Sequence, residues 1–84
     1  MKKFEYYIYL LESKTDGIWY VGLSVNPDER LKQHNRGKSK FTKGHILWKL
    51  LYKEEVGNLK EARSKEKYYK SSAGKRRLKK ILGM

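Results

Sequence analysis

A glutamate at position 66 stands where an apolar residue belongs. Leu59, Ala62, Glu66, Tyr69 and Ala73 recur at steps of three, four, three and four residues, the spacing of the buried stripe of a helix. An unpaired carboxylate in such a place is costly, so Glu66 must meet a cation, carry a proton, or face a cleft in which it binds something. Tyr9 and Tyr20 lie in two aromatic runs, and Arg30 and His34 are four apart in a segment that reads as a helix, which sets one above the other. Phosphodiester hydrolysis needs a base to activate water, a cation to stabilise charge on the phosphate, and often a divalent ion on carboxylate oxygen. Glu66 would hold that ion, Arg30 would clamp a phosphoryl oxygen, His34 would shuttle a proton, and the two tyrosines would orient or deprotonate the water. Taken singly, each residue also has a plain structural role. The tyrosines would pack a sheet face, Arg30 and His34 would sit on a solvated helix face, and Glu66 would pair with Lys70 four residues on.

The elements that must position these groups follow from the pattern. Residues 4–12 alternate as a strand, with Phe4, Tyr6, Ile8 and Leu10 on one face and Glu5, Tyr7, Tyr9 and Leu11 on the other; both faces are apolar enough for a central strand. Lys14-Thr15-Asp16-Gly17 is a turn, and Ile18-Trp19-Tyr20-Val21-Gly22 is the second strand of a hairpin. A loop of two or four residues puts Tyr9 and Tyr20 on one face, with Leu11 opposite Tyr20 if Ser13 opposes Ile18; a loop of three or five would split them. Asn26-Pro27-Asp28-Glu29 caps a helix that runs to about Arg36 and stops at Gly37. Residues 38–44 form a basic loop with one aromatic, Phe41, and residues 46–54 read as a third strand with Ile46, Trp48, Leu50 and Tyr52 in phase. His45, with no partner at helical spacing, reads as a loop residue. Asn58-Leu59-Lys60-Glu61 is a capping box that opens a helix running to about Ser72. Gly74 is expected to break it before a last short helix over about 75–82 that buries Leu78, Ile81 and Leu82. Glu61 fits a cap, and Glu54 and Glu55 fit solvent positions. Core packing is the expected role of Trp19 and Trp48.

Composition bounds the rest. The chain has 84 residues, 21 Lys plus Arg against 9 Asp plus Glu, and a net charge of +12, which repels itself unless a polyanion neutralises it. Nucleic acid is the expected partner. Cysteine is absent, so no disulfide scaffold or Cys-ligated metal can form, and any metal must rest on carboxylates. The apolar runs fall far short of the roughly 20 residues that span a bilayer, and the reading is one cytoplasmic domain over 1–84, a monomer with a dimer as the alternative. Residues 60–84 hold 10 basic and 2 acidic side chains. Lys70, Lys75, Arg76 and Arg77 from that segment, with Lys38, Lys40 and Lys43 from the basic loop, are the expected phosphate contacts.

Tyr7-Ile8-Tyr9, Tyr20-Val21-Gly22, Arg30, His34-Asn35, and Glu61-Ala62 leading to Glu66 together resemble the GIY-YIG nuclease superfamily. The resemblance spans nearly the whole chain and is closest to small stand-alone members, similar to the nuclease domain of the bacterial excision-repair C subunit. It implies an α+β fold, a three-stranded antiparallel sheet flanked by helices. It also implies that Tyr9 and Tyr20 match the two motif tyrosines, Arg30 the catalytic arginine, His34 the family's His or Tyr, and Glu66 the ligand of one Mg²⁺ or Mn²⁺. The implied activity is endonucleolytic hydrolysis of DNA, with RNA as the second possibility and repair or recombination as the setting. A tyrosine phenolate, Tyr9 before Tyr20, would activate the water. Some relatives carry a lysine after the second motif where this chain has Leu23-Ser24, so a tyrosine lowered from its ordinary value of about 10 must find help elsewhere. A catalytically weak nucleic-acid-binding module is the alternative reading, and an adaptor that docks an acidic partner is a third.

Overall fold

The computed structural model describes residues 5–84. Phe4, assigned above to the head of the first strand, lies outside the described residues. In chain order the elements are β1 (Tyr6–Ser13), β2 (Trp19–Ser24), α1 (Pro27–Asn35), a 3-10 turn (Thr42–His45), β3 (Trp48–Gly57), α2 (Leu59–Lys70) and α3 (Ser72–Ile81). The sheet is antiparallel in the order β2-β1-β3, so the strand with two apolar faces is the central one. Ile8 and Leu10 pack with Val21, Tyr69 and Leu78, while Tyr9 and Leu11 pack with Trp48, Tyr20 and Leu31. Helices α2 and α3 therefore cover one face and α1 the other, giving an α+β fold. No helix among the described residues is long and apolar enough to cross a membrane.

The hairpin closes through a four-residue loop. Ser13 N–H donates to Ile18 O at 2.9 Å, Ser13 Oγ accepts from Thr15 N–H at 3.2 Å, and Gly17 takes the left-handed conformation at φ +75°. The even loop puts Leu11 opposite Tyr20 and Tyr9 opposite Gly22, the register that keeps both tyrosines on one face. Helix α1 begins on Asn26, whose side chain accepts from Glu29 N–H at 3.1 Å. It ends as the sequence predicts. Gly37 N–H donates to His34 O and Lys38 N–H to Gln33 O, a Schellman closure with Gly37 at φ +77°.

Strand β3 departs from the simple alternation. It runs over 48–57 rather than 46–54, and Ile46 is exposed before it starts. The register jumps at Leu51, with Leu10 opposite Tyr52 but Leu11 opposite Leu50. A bulge residue shifts the side-chain period by one. Trp48 and Leu50 consequently face α1, whereas Tyr52 and Val56 face α2 and α3. Of the four residues read as one phase, Ile46 thus lies outside the strand and the other three divide between the two faces.

The capping box at Asn58 forms as expected, with Glu61 N–H donating to Asn58 Oδ1 at 2.8 Å and Asn58 N–H to Glu61 Oε1 at 3.1 Å. The break between the last helices comes at Ser71, not at Gly74. Ser71 is extended at ψ 164°, and its side chain caps α3 by accepting from Gly74 N–H at 3.1 Å. The buried stripe of α2 therefore ends at Tyr69, and Ala73 is exposed. Leu78 is buried and Leu82 half-buried, but Ile81 is 40% exposed. Gly74 lies inside α3, buried because the helix crosses α2 there: a Cβ at that position would overlap Tyr68 O and come within 2.5 Å of Tyr69 Cα. Neither obstacle is a side chain that can turn away. Gly74→Ala should therefore lower stability by about 1–3 kcal/mol despite the better helix propensity of alanine, read as a drop in denaturant midpoint with an unchanged slope.

Candidate active site

Tyr9 is the centre of the site and is 1% exposed. Its ring lies over Gly22, where a Cβ would come within 2.5 Å of Cζ and Oη, so the glycine of Tyr20-Val21-Gly22 is the space in which the Tyr9 phenol sits. The Tyr9 and Tyr20 ring centroids are 6.3 Å apart, and Tyr20 meets His34 edge-on at 4.9 Å. A buried hydroxyl requires a partner, and Tyr9 finds it in His34 Nε2 at 3.0 Å.

His34 is fully buried. The other ring nitrogen, Nδ1, lies 2.7 Å from Thr42 Oγ1, and Thr42 O accepts from Trp48 Nε1 at 2.9 Å. The helix that carries His34 is pinned to β3 one residue further on. Asn35 Nδ2 donates to Trp48 O at 3.1 Å and Asn35 Oδ1 accepts from Trp48 N–H at 2.6 Å. The solvated-face reading of His34 therefore does not hold. Arg30, one turn before it, is half-buried and donates to Gln33 Oε1 at 2.6 Å.

Within the protein's own groups, the electrostatics run against a Tyr9 phenolate. Burial pushes the Tyr9 phenol above its ordinary value, Tyr20 adds to that, and the Arg30 guanidinium pulls only part of the way back. Burial, helped by the Arg30 charge, pushes His34 down to about 4, so the imidazole is neutral at pH 7 and offers one ring nitrogen as a hydrogen-bond acceptor.

Glu66 lies on α2, which covers the other face of the sheet. Its side chain is 24% exposed and pairs with Lys70 at 3.3 Å. Its charge is the smallest of the influences on the Tyr9 phenol, and it acts to raise it. Lys70 and Lys75 line a hollow of about 260 Å³ together with Tyr20 and Phe41. Side chains from both layers thus meet around β2, the edge strand. Among the described residues no three His, Cys, Asp or Glu side chains gather as a metal centre. One carboxylate suits Mg²⁺, which keeps several waters and takes further ligands from substrate phosphate.

Lys38, Lys40 and Lys43 are exposed on the loop that carries Phe41, and Phe41 stacks on Tyr20 at 5.9 Å. Arg77 lies apart from the tyrosines, in a groove beneath the opposite face of the sheet. Both tryptophans take the packing role expected of them. His45, which has no partner at helical spacing, pairs instead with the distant Asp16 at 2.7 Å and ties the 3-10 turn to the hairpin. Glu54, read as a solvent position, accepts the hydroxyls of Tyr52 at 2.8 Å and Tyr69 at 2.7 Å. Thr42 and Asn35 were not singled out as site residues. Their contacts cross 8 and 13 residues of chain, and the one available signal was an Asn directly following the motif histidine.

Residues 5–80 match the model of the GIY-YIG catalytic domain. A UPF0213 protein of Clostridium perfringens is 40% identical over 65 residues, covering 76% of this chain and 69% of that one. A UPF0213 protein of Streptococcus agalactiae is 35% identical over 79 residues, covering 93% of this chain and 89% of its own length. The solution NMR structure of a UPF0213 protein from Bacillus halodurans superposes with a TM-score of 0.56 at 34% identity, covering 92% of this chain and 84% of that one.

The buried imidazole makes stability depend on pH. Folded His34 titrates at about 4 and the unfolded residue at 6.5, so both states are neutral above 6.5. Below that the unfolded chain takes the proton first. Stability should fall as pH drops from about 6.5 to about 4, by on the order of 3 kcal/mol from this residue. Urea titrations at a series of pH values should show that slope, and His34→Gln should flatten it.

Proposed function

The chain belongs to the GIY-YIG catalytic domain family, and on that premise we propose that it is an endonuclease hydrolysing phosphodiester bonds in DNA with one divalent cation at Glu66. The observation that carries the proposal is the Tyr9 hydroxyl bonded to a neutral, buried His34, with Tyr20 and Arg30 beside it.

Burial disfavours both a standing phenolate at Tyr9 and a standing imidazolium at His34, which supports a transfer in which the proton moves only as charge develops on the phosphate. As Tyr9 takes the proton of the attacking water, its own proton passes along the 3.0 Å hydrogen bond to His34 Nε2. Thr42, 2.7 Å from Nδ1, holds the ring in line for that transfer. Arg30, steadied by Gln33, is placed to stabilise charge growing on the phosphoryl oxygens. Glu66 would hold Mg²⁺ or Mn²⁺, which supplies Lewis-acid neutralisation of the phosphate when bound. Lys70, once freed from Glu66, would join Lys75 as a phosphate contact on one side of Tyr20, with Lys38, Lys40 and Lys43 on the loop that carries Phe41. Lys75, Arg76, Lys79 and Lys80 extend that basic surface along α3, a helix with no acidic residue.

The Glu66–Lys70 ion pair favours a second reading, a nucleic-acid-binding module with a weakened catalytic site. Nicking of supercoiled plasmid separates the two. The nuclease reading expects Mg²⁺- or Mn²⁺-dependent nicking that EDTA abolishes, and Tyr9→Phe, Glu66→Ala or Arg30→Ala should each cost about 100-fold or more in rate. Activity that survives both EDTA and Glu66→Ala would defeat it. The binding-module reading expects salt-sensitive binding without cleavage in either metal. In both, Lys75→Ala should reduce the slope of log affinity against log salt by about one.

A further inference from the structure

On the side of the sheet away from Tyr9, strand β3 and helices α2 and α3 enclose an open groove of about 980 Å³. Its polar centre is Glu54, and that carboxylate is fully engaged. Oε1 accepts the hydroxyls of Tyr52 and Tyr69, and Oε2 lies 3.6 Å from Lys65 Nζ. The ammonium of Lys65 also sits 5.7 Å over the Tyr69 ring. The other acid on the groove, Glu61, is occupied by the cap of α2. Lys60 and Arg77 line the same groove, and neither has an ion-pair partner among the described residues. The same groove carries an apolar and aromatic surface: Tyr68 is 42% exposed and Ile81 is 40% exposed, and Val56 also lines it.

An accessible aromatic face, an adjoining apolar patch and two unpartnered cations form a site for a planar ring that carries an anionic group. We propose that this groove is a nucleotide-binding subsite, in which Tyr68 stacks on the base while Lys60 and Arg77 hold the phosphate. The ligand would be either a free mononucleotide or one nucleotide of a longer strand, and the chemistry of recognition is the same. The subsite is separate from the tyrosine face and does not require that face to cleave anything.

The test is a titration of the full chain followed by amide chemical shifts, in EDTA so that no cleavage occurs. Three probes are added separately: dAMP, a short oligodeoxyadenylate, and inorganic phosphate. Saturable shifts at Ser64, Tyr68, Arg77 and Ile81 with dAMP are expected for a free-nucleotide site; shifts there with the oligonucleotide alone assign the groove to a strand. Tyr68→Ala should weaken that binding about tenfold. Lys60→Glu should do likewise while leaving the fold intact, because an acid in the first turn of α2 suits the helix dipole. Glu66→Ala should leave binding in the groove unchanged even if it abolishes nicking, so the two proposals can fail separately. No response at those four amides to either nucleotide probe would overturn the inference, as would inorganic phosphate binding as tightly as dAMP, or Tyr68→Ala without effect.

Discussion

A buried phenol must have its ring accommodated and its hydroxyl satisfied, and the tyrosine face of this protein is built around meeting both demands for Tyr9. Gly22 supplies the space across the hairpin, and His34 supplies the partner 3.0 Å from the hydroxyl. Each solution creates the next requirement. The imidazole needs something at its second nitrogen, which is Thr42; the turn that holds Thr42 is anchored by the Trp48 indole; and Trp48 is in turn bonded through its backbone to Asn35 on the helix that carries His34. The chain of contacts closes on itself, so displacing one member leaves another buried polar group without a partner. That is costly in a low-dielectric interior.

Glu66 stands in a different relation to that face, because its helix lies across the sheet from α1. An interior strand would wall the two layers apart. Strand β2 is an edge, so groups from both faces can approach one another around it, and a hollow lined by Tyr20, Phe41, Lys70 and Lys75 lies there. The roll of α2 is set on its far side, where the hydroxyl of Tyr69, three residues after Glu66, is bound by Glu54 of β3. One helix therefore serves two grooves, and its packing on one side orients what it presents on the other.

The distribution of charge follows the same division. Lys49, Lys53, Lys65 and Lys70 are each within ion-pair distance of a carboxylate, whereas α3 contributes cations with no acid of its own. The excess of +12 is thereby left mostly on α3 and the loop after α1. A polyanion laid across those two segments would pass over the β2 edge, where long-range attraction and local chemistry coincide.

Much of this was legible in the primary sequence. The sequence narrowed the placement of Tyr9 and Tyr20 to the parity of the hairpin loop, which the structure shows to be even; Asn26 and Asn58 announced helix starts, Gly37 marked a helix end, and Glu66 stood out as an acid on an apolar stripe. These features rest on local stereochemistry and periodicity, which act over a few residues and are therefore written in the order of the chain. Other features were decided only by packing. The bulge at Leu51 moves Trp48 and Tyr52 to opposite faces, and Gly74 is needed by the close crossing of α2 and α3 rather than by any turn. The burial of His34, the partners of Glu54 and His45, and the upward push on the Tyr9 phenol arise from groups far apart in the chain. Desolvation and long-range hydrogen bonding depend on what the fold brings within a few ångströms, and residue spacing along one chain carries no record of that distance.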